Sequence, residues 1–203
     1  MQKQETIRKM LAVGRHRLDP GQSCQVAELV LAKPRKMGQL IECLWDEDPG
    51  TANRAADALE RATYHRPGLA QAWKDELIGL LAEAQQNKLR WNLALLIPRL
   101  DLNVAEARRS AAVLRTYLDD QDSTVKSGSI VKTAAMHGLA ALTRHDPSML
   151  AETLDMLRIL SRSGTPAMRA RGRILLKQLE APGKRRTPVT EQAHASMYAE
   201  PTA

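Results

Sequence analysis

Apolar positions recur along the chain at spacings of three and four, and no stretch sustains the alternation of a strand, so the pattern predicts helices throughout. Met37, Leu40, Ile41, Leu44 and Trp45 form a first clear stripe, which Asp48-Pro49-Gly50-Thr51 ends with turn chemistry. A second helix is predicted over about 52–64. Beyond Pro67-Gly68, the residues Leu69, Trp73, Leu77, Leu80, Leu81 and Ala84 share one face, and Leu89, Leu93, Leu96, Ile97 and Leu100 continue the pattern to an end near Pro98. Asn103 and Glu106 have the spacing of a capping box, opening a helix marked by Val104, Ala107, Ala111, Leu114 and Leu118. The run 125–142 is helical by Val131, Ala135, Leu139 and Leu142. Gly128 and Gly138 each weaken it by about 1 kcal/mol against alanine, so packing must hold it. Asp146-Pro147 reads as a cap with proline at the first helical position, ahead of the stripe Leu150, Leu154, Leu157 and Leu160. Gly164-Thr165-Pro166 repeats that logic, with Gly164 expected in a left-handed terminating conformation and the last helix reaching about Glu180.

Eight helices over 37–180 pair into four helix-turn-helix units with a period near 36 residues. The second helix of each unit carries an early basic residue, Arg54, Arg90, Lys126 and Arg169, at separations of 36, 36 and 43, which is the mark of a helical repeat array. Within it, Asp122-Ser123-Thr124-Val125-Lys126 resembles the Asp-x-x-Val-Arg/Lys start of the inner helix in HEAT repeats, the armadillo-type helical solenoids. Leu89-Arg90 and Met168-Arg169 keep the apolar-basic step; Asn53-Arg54 does not. The resemblance implies an all-α chain folded as a right-handed α-α superhelix, an α-solenoid of about four HEAT-like helix pairs over 37–180. Residues 1–36, with Ile7, Met10 and Leu11 and then Val26, Leu29 and Val30, are expected to form an N-terminal helical cap. Residues 181–203 lose periodicity amid Pro182, Gly183, Pro188 and Pro201 and are expected to be a flexible tail.

Composition sharpens this reading. Aromatic residues make up only 3% of the chain and phenylalanine is absent, so the core must be built from small and aliphatic side chains, as in closely packed helix pairs. Trp45 and Trp73 lie in apolar stripes and are expected in the core, while Trp91 lies off its stripe. Cys24 and Cys43 make no CxxC pair and read as reduced thiols. The first nine residues hold charges and no apolar core of a secretory signal, and the run Leu93–Ile97 is far short of the roughly 18 residues that span a bilayer. A cytoplasmic protein without a membrane partner is expected.

Charge is unevenly placed. Residues 158–186 carry nine basic side chains against one acidic, and residues 37–157 are net acidic. On the last helix Arg169, Arg173 and Lys177 recur every four residues and form one stripe. Such a stripe binds phosphates or acidic surfaces, or solubilises the outer face of a terminal repeat. Arg90, Lys126, Arg169, Arg173 and Lys177 are therefore the expected binding residues, with a structural role for the repeated basic position as the competing reading. The five histidines form no metal-ligand pattern, and GxxxxGK[ST], GxGxxG and GxSxG do not occur. No catalytic residue, cofactor or metal is expected. The function that follows is a non-catalytic scaffold presenting a concave surface to a protein partner, an acidic one in particular. The alternatives are nucleic-acid binding and a DNA-glycosylase-like enzyme, for which Trp91 and Asp101 are the available side chains.

Overall fold

The computed structural model describes residues 5–16, 18–119 and 125–181. The expectation of a flexible tail beyond 181 and most of the Asp122–Lys126 motif lie outside these residues. Ten α-helices occur among the described residues, with no strand. Two are in the N-terminal stretch, α1 (Glu5–Ala12) and α2 (Ser23–Ala32). Eight follow: α3 (Met37–Glu42), α4 (Pro49–His65), α5 (Lys74–Glu83), α6 (Asn87–Leu96), α7 (Val104–Asp119), α8 (Val125–Leu142), α9 (Leu150–Ser163) and α10 (Pro166–Glu180).

Local chemistry accounts for most of the boundaries. The backbone N–H of Glu106 donates to Asn103 Oδ1 at 2.9 Å and that of Asn103 to Glu106 Oε2 at 2.8 Å, closing the capping box that opens α7. Thr165 Oγ1 accepts from the Met168 N–H at 3.3 Å, with Pro166 at the start of α10. Asp48 corrects the sequence reading. Its carboxylate accepts from the Gly50 and Thr51 N–H groups, so Asp48-Pro49 opens α4 rather than forming a separate turn. Three further departures have physical causes. The stretch Pro67–Trp73 is a 3-10 helix and α5 begins only at Lys74, because Pro67-Gly68 starts a tighter turn. Cys43–Trp45 is likewise 3-10, and its three-residue turn rotates Trp45 off the apolar face of α3 to 49% exposure, against the expectation that it is core. Gly164 is extended (φ −72°, ψ 177°), not left-handed. Glycine is required there because a Cβ would stand 2.6 Å from the Leu160 carbonyl oxygen and 2.8 Å from Met168 Cβ.

The even-numbered helices pack in chain order, α2 on α4, α4 on α6, α6 on α8 and α8 on α10. Among the odd-numbered helices, α1 contacts α2, α3 and α4, α5 contacts α6 and α7, α7 packs on α8 and α9 on α10. Helix α4 is therefore enclosed and is buried continuously from Gly50 to Glu60. Side-chain bonds between units recur at separations from 34 to 39 residues: Ser23 to Asp57, Tyr117 to the Leu81 carbonyl, Ser129 with Thr165, Arg115 to Glu152, Arg108 to Asp146 and Arg99 to Glu60. The aliphatic core is nearly continuous from Ile7 to Met149, and a smaller cluster of Met136, Ala140, Leu157, Met168 and Leu175 holds α9 and α10 to α8. No helix among the described residues is long and apolar enough to cross a membrane.

Candidate functional site

The repeated basic position turns out to bind backbone. Arg90 Nε donates to the carbonyl of Ala84, the C-cap of α5, at 2.6 Å, and its guanidinium lies 4.9 Å from the ring centroid of Tyr117. Arg169 donates to the carbonyl of Gly164, the C-cap of α9, at 2.8 Å. Arg54, only 3% exposed, donates to the Leu11 carbonyl at the end of α1 and to that of His16 at 3.4 Å, with an Asp48 oxygen 3.5 Å away. In all three cases a cation satisfies carbonyls at the end of an odd-numbered helix, where the orphan acceptors and the helix dipole favour positive charge. Lys126 lies in the first turn of α8, and its side chain is outside the described residues. Arg173 and Lys177 are exposed on α10, whereas Arg169 above them is half-buried.

A second group of charges comes together from helices far apart in the chain. Glu60 of α4 is fully buried and is held by Arg99, which also donates to the Glu60 carbonyl at 3.0 Å and lies 5.1 Å from the ring centroid of Tyr64. The turn that carries Arg99 packs against α8, and in the turn that follows α8 Arg144 donates to the Pro98 carbonyl while His145 Nε2 lies 3.0 Å from the same oxygen. His137, about two turns before Arg144, lies within the fields of Arg99, Glu60 and Arg171 of α10. Burial first, then Arg171 and Arg99, pushes its imidazole down to about 3, so it is neutral at physiological pH. Burial, and then Arg99, lowers Arg144; burial lowers Arg171. Arg171 is half-buried and has neither an ion pair nor a side-chain hydrogen bond among the described residues. Arg99, Arg171 and Glu60 thus act on His137, and the Glu60 carboxylate is already paired with Arg99.

Sequence reading missed Arg171 because it falls off the Arg169-Arg173-Lys177 stripe, and missed Arg99 and Arg144 because their neighbours are 39 to 46 residues away. The remaining candidates are placed as follows. Trp91 packs against the core, and the main chain of Asp101 is pinned by Gln71, whose amide donates to the Asp101 carbonyl and accepts from its N–H, both at 2.9 Å. A shallow groove of about 200 Å³ between α7 and α9 is lined by Leu118, Leu139, Thr153 and Met156, and Arg115 and Glu152 pair across it at 2.7 Å. Among the described residues no three His, Cys, Asp or Glu side chains are grouped to hold a metal ion. No family model, curated protein or solved structure matches the chain.

Proposed function

We propose that the protein is a non-catalytic binding scaffold, a right-handed α-solenoid of HEAT-like helix pairs that offers a concave helical-repeat surface, with the exposed basic face of α10 at its end, to an acidic protein partner in the cytoplasm. Stacking of the even helices in chain order and the bonds repeating every 34 to 39 residues support the repeat architecture. The observation that carries the binding reading is charge left over. Arg171, Arg173 and Lys177 on α10 have no acidic partner among the described residues, which concentrates unpaired positive charge on the last helix, although Arg35, Arg109 and Arg162 are unpaired as well. An acidic protein surface supplies the missing charge and is steered to it over distance. The separation of roles is itself informative. Arg90 and Arg169 act as C-terminal clamps, so Arg173 and Lys177 carry contact and Arg90 carries stability.

The test is affinity capture from cell extract at low and moderate salt, with and without nuclease, using the full chain and an Arg173→Glu, Lys177→Glu double variant. A stoichiometric protein that survives nuclease and is lost with the double variant is the expected outcome. Recovery dominated by nucleic acid and abolished by moderate salt would transfer the same face to a nucleic-acid ligand, since phosphate contacts weaken steeply with salt.

A further inference from the structure

We infer that the exposed basic end of the array, formed by α9 and α10 together, takes the acidic outer face of α5 in a second copy of this chain. The inference rests on the scaffold reading and names its acidic partner. The register of the last two helices decides which cations share that end. A Cβ on Gly172 would stand 3.0 Å from Ser161 Cβ, and Arg158 Nη2 donates to Glu180 Oε1 at 2.9 Å. Helices α9 and α10 therefore run antiparallel, with Ser161 beside Gly172 and Arg158 beside Glu180. Helical spacing from these contacts places Arg162, four residues after Arg158, on the same side as Arg173 and Lys177. Met168 and Leu175 lie on the opposite side of α10, in the cluster that joins it to α8. Arg162, Arg173 and Lys177 are exposed, and none has an acidic partner among the described residues. The carboxylates at this end, Asp155 and Glu180, are both engaged by Arg158, at 2.8 and 2.9 Å.

The complement lies on α5. Asp75, Glu76 and Glu83 are exposed there without a cation partner among the described residues, while Lys74 is taken by Glu106 of α7 at 2.8 Å. Asp101, exposed as well, is tied to the turn before α5 by Gln71 at 2.9 Å. Between these acids stand Gly79 and Ala82, both exposed, and a Cβ on Gly79 would meet nothing within 4 Å. The long side chains of arginine and lysine can thus reach the carboxylates without displacing bulky neighbours. Sign and chemistry select a second copy. Stacking of one array end on the other is opposed by charge, since residues 1–36 carry eight basic side chains against three acidic. A nucleic-acid strand finds no stacking surface, because α9 and α10 contain no aromatic residue. The flank of α5 supplies the opposite sign, and each chain offers its end to one copy and its flank to the same or another. Exposed pairs contribute little each and are screened, so the contact is weak and salt-sensitive.

Sedimentation of the full-length protein over a concentration series, at low and at high salt, tests the contact. The average mass should rise with concentration at low salt and fall to that of one chain at high salt. The double variant Arg173→Glu, Lys177→Glu is acidic at both surfaces, and the triple variant Asp75→Lys, Glu76→Lys, Glu83→Lys is basic at both. Each alone should self-associate at least about tenfold more weakly than the wild type, because like charges then face each other. An equimolar mixture of the two should associate again, since opposite charges meet; a variant that had merely lost its fold would not be rescued by mixing. A wild type that keeps the mass of one chain at low salt, a triple variant that still self-associates, or a mixture that stays dissociated overturns the inference. If the chain stays single while capture through Arg173 and Lys177 still returns another acidic protein, the scaffold reading stands and only the second copy falls. Self-association that survives Arg173→Glu, Lys177→Glu would remove the basic end from the contact.

Discussion

His137 stores a pH dependence in the fold. Its imidazole is pushed to about 3 by burial, then by Arg171 and Arg99, against an ordinary value of 6.5. The folded chain therefore binds fewer protons than the unfolded chain between those values. Above about pH 6.5 the effect on stability is absent; as pH falls toward 3 stability is lost at about 1.4 kcal/mol per pH unit, the weight of one proton. Asp48, Glu106 and Asp146 act in the same direction at lower pH, because each carboxyl is held below its ordinary value, foremost by the hydrogen bonds of Thr51, Lys74 and Ser148 respectively. Urea unfolding of the wild type and His137→Gln at pH 7, 6 and 5 checks the assignment. The variant should lose less stability over that range, by close to one proton's worth of slope; parallel slopes would show that His137 takes up its proton in the folded state.

Helix α8 shows how packing overrides local preference. On propensity alone, Gly138→Ala in the middle of a helix should stabilise the chain by about 1 kcal/mol. In the folded molecule an added Cβ would stand 2.7 Å from the Ala94 carbonyl oxygen of α6 and 2.7 Å from Leu114 Cδ1 of α7. The carbonyl belongs to the backbone of a buried helix and has nowhere to move, so the substitution should cost about 1–3 kcal/mol and lower the urea midpoint. A midpoint that rises would mean α8 and α6 are further apart than the structure has them. The capping residues behave differently. Asn103, Asp146 and Thr165 act on N–H groups two or three residues away, and their roles were readable from spacing alone. Gly164 ends α9 as expected but in an extended, not left-handed, conformation, and its need for a missing side chain arises from the Leu160 carbonyl oxygen and from Met168 on the next helix.

Across the whole molecule, cohesion is uneven. The main apolar cluster joins α1 through α8, while α9 and α10 are held by their own smaller cluster through Met136 and Ala140 of α8. In a chain whose units touch mainly their neighbours, the end unit with one neighbour opens first. Amide hydrogen exchange should show α9 and α10 at least about tenfold less protected than α4 and α6, with α4 slowest because it is enclosed on all sides. Uniform protection from α4 to α10 would contradict this division.

Helical periodicity, the capping pairs, the near-36-residue spacing and the sparse aromatic core are local or statistical properties, and each could be read from the chain as written. They led to eight helices over 37–180 and to helix ends within a few residues of those observed, apart from the 3-10 stretches, where a change of turn width rather than of residue type moves Trp45 to the surface. What the array does with its arginines was not readable in that way. Arg54, Arg90 and Arg169 look alike in sequence to the exposed Arg173, and whether a guanidinium clamps a helix end or faces solvent depends on which carbonyl the fold brings within 3 Å or so of it. Arg171 lies two residues from Arg173 and differs from it in being half-buried. Glu60, Arg99, His137, Arg144 and Arg171 are spread over 112 positions, and no pattern of spacing links them. Their meeting is a product of stacking, because charge interacts through space and the helix order alone sets which charges become neighbours.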